Sequence, residues 1–112
     1  MLHGRLAVAE IAQANVDQLV YTVPSDKCLY AELNFDILNS TGNDANIQIA
    51  LHTGATPLNT DYVEKGVLIA RNGGSYLREK IIASPGENIT MRSSRAGVNI
   101  RISGHLLQEK SS

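Results

Sequence analysis

Leu29-Tyr30-Ala31-Glu32-Leu33-Asn34-Phe35-Asp36-Ile37 sets the fold class of this chain. Its odd positions, Leu29, Ala31, Leu33, Phe35 and Ile37, are apolar, and Glu32, Asn34 and Asp36 fill the alternate positions. A period of two marks a strand with one buried face and one solvated face. The pattern returns as Ile89, Met91, a turn, then Val98, Ile100 and Ile102. Half-buried strands of this kind belong to antiparallel sheets, whereas strands buried on both faces read as continuous apolar runs.

Outward from these two stretches, the turn residues divide the chain into short extended segments. Pro24 ends a strand over residues 18–23, and Pro24-Ser25-Asp26-Lys27 forms a turn in which Pro fixes φ. The long strand covers about Cys28 to Asn39, followed by a polar loop from Asn39 to Asp44. Asn46 to His52 makes the next strand, with Ile47, Ile49 and Leu51 on one face. Residues 61–70 read as two short strands around a bulge at Gly66. Asn72-Gly73-Gly74 is a turn of the kind hairpins use. Ser75 to Ala83 is a strand with Leu77 and Ile81 facing inward. Ser84-Pro85-Gly86-Glu87 has Pro and Gly at the two central positions of a type II turn. Asn88–Ser93 and Val98–Ser103 read as a hairpin around Arg95-Ala96-Gly97. Residues 1–16 admit two readings. Leu6 and Val8 alternate with alanines, as in a strand, while the run from Ile11 to Ala14 has helix propensity. Gly4 and the polar Gln13-Ala14-Asn15 favour an extended arm or edge strand.

The expected fold is therefore an all-β antiparallel sandwich, jelly-roll-like, with about eight short strands and an extended N-terminal arm. Residues 1–112 are read as one domain, with an arm over residues 1–6 and a flexible tail over residues 105–112.

Composition narrows the function classes. The chain has one Phe, four Tyr and no Trp, which argues against an aromatic platform for stacking sugars or bases. A net charge of −1 does not call for nucleic acid or an acidic membrane. The charges are unevenly placed: residues 1–70 hold three bases against eight acids, and residues 71–112 hold seven bases against three acids. Such asymmetry favours contacts between copies of the chain, unless strands from the two halves interleave and mix the charges. Cys28 is the lone cysteine, so an internal disulfide is ruled out and a reducing compartment fits. No apolar run approaches the roughly 20 residues of a membrane span, and Met1 to Arg5 lacks the form of a secretion signal.

Chemical motifs are sparse. His3, His52 and His105 share no metal-ligand spacing with each other or with Cys28 and read as surface or rim residues. No Gly-x-Ser-x-Gly elbow, phosphate loop or dinucleotide fingerprint occurs. Glu32 and Asp36 read as a solvated strand face rather than an acid–base pair. The expectation is no catalytic residue, no cofactor and no metal.

The order of the elements carries more information than any one of them. Val20-Tyr21-Thr22-Val23-Pro24 is followed by a turn and the long alternating strand ending in Leu38-Asn39. Ile47 to Leu51, Asp61-Tyr62-Val63-Glu64, Pro85-Gly86-Glu87, Met91-Arg92-Ser93-Ser94 and Val98-Asn99-Ile100-Arg101-Ile102-Ser103-Gly104 come next. Over about Ala7 to Gly104 this resembles the small β-sandwich accessory proteins of tailed bacteriophage virions. One departure is Ser25-Asp26, where members of that family often carry a Gly in the turn. The resemblance implies a non-enzymatic structural protein on the capsid exterior, present in host cytoplasm during assembly. It implies a homo-oligomer that binds the major capsid protein and copies of itself and reinforces the shell. A tail, baseplate or fibre component, and a carbohydrate-binding sandwich module, are the alternatives.

Two groups of residues are the candidate protein interface. A leading segment, Leu2, His3, Gly4, Arg5 and Leu6, can add a strand to a neighbour's sheet edge through main-chain hydrogen bonds. Arg92, Arg95 and Arg101 lie near the last pair of strands, where guanidinium groups can grip carboxylates on a partner. Arg92 and Arg101 alternate with apolar neighbours and are expected to point outward.

Overall fold

The alternating stretches become two facing layers because each buries its apolar row against the other's. In the computed structural model, which describes residues 2–25 and 28–108, the strands are β1 (Leu2–Glu10), β2 (Gln18–Thr22), β3 (Cys28–Asn39), β4 (Ala45–His52), β5 (Tyr62–Ile69), β6 (Gly74–Ala83), β7 (Asn88–Ser93) and β8 (Asn99–Gln108). A 3-10 turn, Asn59–Asp61, precedes β5. One sheet, here sheet A, has the order β1-β8-β3-β6; the other, sheet B, has the order β2-β7-β4-β5. All the pairings are antiparallel. Only β4 and β5, of the consecutive strands, are neighbours in one sheet; every other connection crosses between the layers. This is the double Greek-key arrangement of a jelly roll.

Ala31, Leu33, Phe35 and Ile37 of β3 and Ile100, Ile102 and Leu106 of β8 pack against Ile47, Ile49 and Leu51 of β4 and Ile89 and Met91 of β7. Phe35 is the largest of the fully buried side chains. With one Phe and no Trp in the chain, aliphatic side chains fill the rest. Each contributes about 1.5–3 kcal/mol through removal from water.

Several sequence expectations are corrected, and most share one cause. Asn88–Ser93 and Val98–Ser103 are not a hairpin: β7 and β8 lie in opposite sheets. Both segments turn their apolar rows to the same core, so they face each other across it. Residues 94–98 form the arch between them. Ser93 Oγ donates to Arg95 O (2.7 Å), and Ile11 is fastened to the arch by Gly97 N–H donating to Ile11 O (2.8 Å). Asn72-Gly73 likewise carries the chain from sheet B to sheet A rather than closing a hairpin, with φ of +60° and +105°.

Bulges account for the misplaced faces. Cys28 pairs with Gln108 and Tyr30 with Leu107, so Leu29 is an extra residue and is 54% exposed. The inward row starts at Ala31 instead. In β6, Phe35 pairs with Arg78 and Leu33 with Ile81, which inserts one residue and shifts the phase. Tyr76 therefore packs against the core while Leu77 is exposed. Lys80, at φ +61°, occupies this bulge and donates its backbone N–H to Asn34 Oδ1 at 3.0 Å. The expected bulge near Gly66 is present: Ile47 pairs with Val67 and Ile49 with Glu64. The Pro85-Gly86 turn is as expected, with Gly86 at φ +83° and Glu87 N–H donating to Ser84 O.

The leading segment is not a free arm. Residues 2–10 form edge strand β1, paired with β8 from Leu2↔Leu106 to Glu10↔Asn99, so the edge-strand alternative holds. The Ala-rich run after it is a loop, closed by Gln18, whose Oε1 accepts from Ala12 N–H and whose Nε2 donates to Glu10 O, both at 3.0 Å. The expected tail is also shortened, since residues 105–108 continue β8 between β1 and β3. Residues 109–112, Met1 and the Asp26-Lys27 part of the first turn lie outside the described residues.

Candidate interaction surfaces

Alternation that buries one row of each strand places the other row on an outer face, and the two outer faces of the sandwich differ. On sheet B the outward row of β7 includes Thr90 and Arg92, and that of β4 includes Asn46, Gln48, Ala50 and His52. His52 is buried, not the surface or rim residue expected. Nδ1 is 2.8 Å from Gly54 O and Nε2 is 2.6 Å from Thr90 Oγ1, because the loop after β4 folds back over the ring. Arg92 pairs with Asp17 at 3.8 Å, and Lys65 Nζ sits 5.5 Å from the centre of the Tyr62 ring. Beside them an open polar groove of about 390 Å³ is lined by Asn15, Asn46, Gln48, Lys65, Arg92 and Ser94.

On sheet A the outward row of β8 runs through Asn99, Arg101, Ser103 and His105, and that of β3 through Glu32, Asn34, Asp36 and Leu38. Val8 of β1 pairs with Arg101, and Asp36 pairs with Leu77 of β6. Besides Leu29 and Tyr30 at the start of β3, exposed apolar side chains here are Val8 (60%), Leu38 (41%), Leu77 (56%) and Ile82 (57%). A shallow depression of about 360 Å³ lies over Val8, Asp36, Leu38 and Arg101. Among the described residues the ion pairs are Arg78–Glu64 and Arg92–Asp17. Arg101 and Asp36, neighbours across β8 and β3, do not pair with each other.

The candidate interface residues do not converge. Arg92 and Arg101 both point outward, as expected, but from opposite faces of the sandwich. Arg95 is exposed on the arch that joins β7 to β8. Arg5 is exposed on β1, opposite Ser103, and shares sheet A with Arg101, while Leu6 packs toward the core at a bulge. Leu2, His3 and Gly4 are placed by their backbone in β1; their side chains, and that of Cys28, lie outside the described residues.

Sequence reading missed two structural clusters. Asn39 is fully buried and holds the following loop. Its Nδ2 donates to Asn43 O (2.8 Å) and Ile69 O (3.0 Å), and its Oδ1 accepts from Thr41 Oγ1 (2.6 Å). At the seam between edge strands β5 and β6, Tyr76 Oη donates to Glu64 Oε1 at 2.8 Å and Arg78 Nη1 lies 3.3 Å from the same oxygen. Burial, then the hydrogen bond and charge of Glu64, raise the Tyr76 pKa above its ordinary 10.0, against a smaller lowering by Arg78. A signal for this seam existed: Tyr76, Arg78 and Glu64 all become inward residues once the bulges are placed.

No group of three or more His, Cys, Asp or Glu side chains gathers in a metal-binding arrangement among the described residues. Comparison with protein-family models and with curated protein sequences returns no match.

Proposed function

We propose that this chain is a non-enzymatic structural virion protein, a capsid decoration protein that binds and stabilises a lattice of major capsid subunits as a homo-oligomer. The observation that carries the reading is the outer face of sheet A. There a stiff hydrogen-bonded sheet displays exposed apolar side chains around Arg101 and Asp36, which form no ion pair among the described residues. Exposed apolar groups rimmed by polar ones mark protein-contact surfaces. A rigid sandwich with long edge strands suits a role in which many symmetric copies multiply weak contacts by avidity. The order of sequence elements that resembles phage accessory proteins supports the virion setting.

Binding to cognate expanded capsids tests this. The reading expects saturable binding at fixed stoichiometry and a raised capsid melting temperature. Labelling confined to tails replaces it with the tail or fibre reading. The polar groove on sheet B, with its amides, Arg92 and Lys65, supports a second reading as a carbohydrate-binding module. Specific hits on a glycan array, lost in Arg92→Ala and without capsid binding, select that one.

A further inference from the structure

The charges on the outer face of sheet A are segregated by strand. The β1–β8 half carries Arg5 and Arg101, beside the imidazole of His105, whereas the β3–β6 half carries Glu32, Asp36 and Glu79. Glu10 at one end of β1 and Lys80 in the β6 bulge are the exceptions. The pairing registers arrange these residues in rows across the sheet. One row reads Val8–Arg101–Asp36–Leu77, apolar at both ends and oppositely charged in the middle. The next reads Glu10–Asn99–Leu38–Ser75, and toward the other end His105 lies opposite Glu32, with Ile82 beyond.

Such a row is complementary to its own reverse. We infer that sheet A docks face to face on sheet A of a second copy, about a two-fold axis that runs along the strands between β8 and β3. This axis places Arg101 over Asp36 of the partner subunit, Val8 over the partner's Leu77, and His105 over the partner's Glu32. Each contact occurs twice, as an isologous interface requires. A two-fold axis running across the strands instead sets β8 on β8 and β3 on β3. That arrangement stacks like charges and is disfavoured. Glu10 meets the partner's Ser75, which is neutral, and the bulged Lys80 offsets Glu79 opposite the partner's Arg5.

The size of the face bounds the interface. Four strands about 4.8 Å apart and about eight residues long give a patch near 20 Å by 26 Å. Doubled across two copies, this lies near the lower end of specific interfaces, around 1,000 Å². The expected self-association is weak, in the micromolar range, and is weakened further by salt because the central contacts are ionic. The inference deepens the copy-to-copy part of the proposed function but does not rest on a capsid.

Sedimentation velocity of the full chain across the micromolar range tests it. The wild type is expected to move from monomer to dimer with concentration. Arg101→Glu and Asp36→Arg are each expected to weaken the dimer by at least about tenfold, and the double charge swap to restore it to within about threefold. Circular dichroism checks that each variant folds. If a charge variant does not fold, Leu77→Lys probes the same contact from the end of the row and is expected to weaken it. A wild type that stays monomeric, single variants that dimerise normally, or a double variant no better than the singles overturns the inference. A dimer without capsid binding removes the virion reading alone. Capsid binding by a strict monomer removes the dimer alone.

Discussion

The two outer faces of this sandwich are made by the same fold from strands of similar length, yet they finish their chemistry differently. On sheet B the polar groups find partners within the chain: His52 lies between Thr90 and Gly54, Arg92 reaches Asp17, and Lys65 covers Tyr62. On sheet A, Arg101 and Asp36 sit side by side without pairing, and Val8, Leu38, Leu77 and Ile82 remain in water. Loops explain part of the difference. The segments before β2 and after β4 bring Asp17 and Gly54 against sheet B, and no described loop contributes an ion pair to sheet A. A face that satisfies its own polar groups has little to gain from a partner. Apolar side chains are exposed on both faces, Leu19 and Leu68 on sheet B among them, so the faces differ chiefly in their charges. Arg101 and Asp36 stay unpaired among the described residues and gain from a complementary surface.

The contrast can be broken most severely at Gly104. This residue joins β8 to β3, the two strands that carry Arg101 and Asp36, at φ +138°. A Cβ there would overlap the backbone carbonyl oxygen of Glu32. Gly104→Ala therefore combines a strained φ with backbone overlap, at a cost of about 2–4 kcal/mol. For a domain of this size the expected fall in Tm is about 8–17 °C. Below the lowered Tm the sandwich still folds, and self-association should weaken because the spacing of β8 and β3 beneath Arg101 and Asp36 is disturbed. An unchanged Tm would mean that β8 and β3 can separate without cost, and the rows described above would not be rigid.

How much of this was legible beforehand depends on which residues carried period two. Ala31, Leu33, Phe35 and Ile37, with Ile89, Met91, Ile100 and Ile102, announced the all-β sandwich because alternation is a local property of the strand. Sheet membership was not local. Val98, Ile100 and Ile102 follow β7 at hairpin distance, and nothing in the intervening five residues says that the chain crosses to the other layer. Bulges were equally hidden. One inserted residue at Lys80 reverses the phase of β6, so period two counted from Ile81 puts Leu77 inside, while the register turns Tyr76 to the core. The outward residues of sheet A were partly visible, since Leu38 and Ile82 are apolar at positions where the neighbouring pattern expects water. Their meaning needed the registers, because Arg101 and Asp36 are 65 positions apart in sequence.

The seam between β5 and β6 sharpens the comparison by a smaller amount, since it ties the edges of the two sheets into one body. Tyr76→Phe removes the hydrogen bond to Glu64 and should cost about 1 kcal/mol at neutral pH. The pH dependence gives a separate readout. Burial and Glu64 raise the Tyr76 pKa above 10.0 in the folded chain, so the folded state holds this proton after the unfolded state has begun to release it. The stability that the phenol contributes is complete below pH 10 and is lost as pH rises through the raised folded value. Urea unfolding of the wild type and of Tyr76→Phe should therefore converge above pH 10. A gap that stays constant or widens there would place the phenol outside the seam.

The smallest effect separates the faces most directly. Arg92 and Asp17 are both well exposed, with side chains 43% and 37% accessible and 3.8 Å apart, so Arg92→Ala should cost less than about 1 kcal/mol in the dilute monomer. High salt should reduce even that, since screening acts on exposed pairs. Arg101 has no ion-pair partner among the described residues, so Arg101→Ala should leave the dilute monomer within about 0.5 kcal/mol of wild type. Raising the protein concentration should reverse the order. Arg101→Ala then falls behind, because the wild type gains the contact with a second copy and the variant does not, while the cost of Arg92→Ala stays fixed. Thermal melts of both variants at low and high concentration read this crossing. An Arg101→Ala deficit that is the same at every concentration would show that the side chain serves the protomer alone, and sheet A would then resemble sheet B.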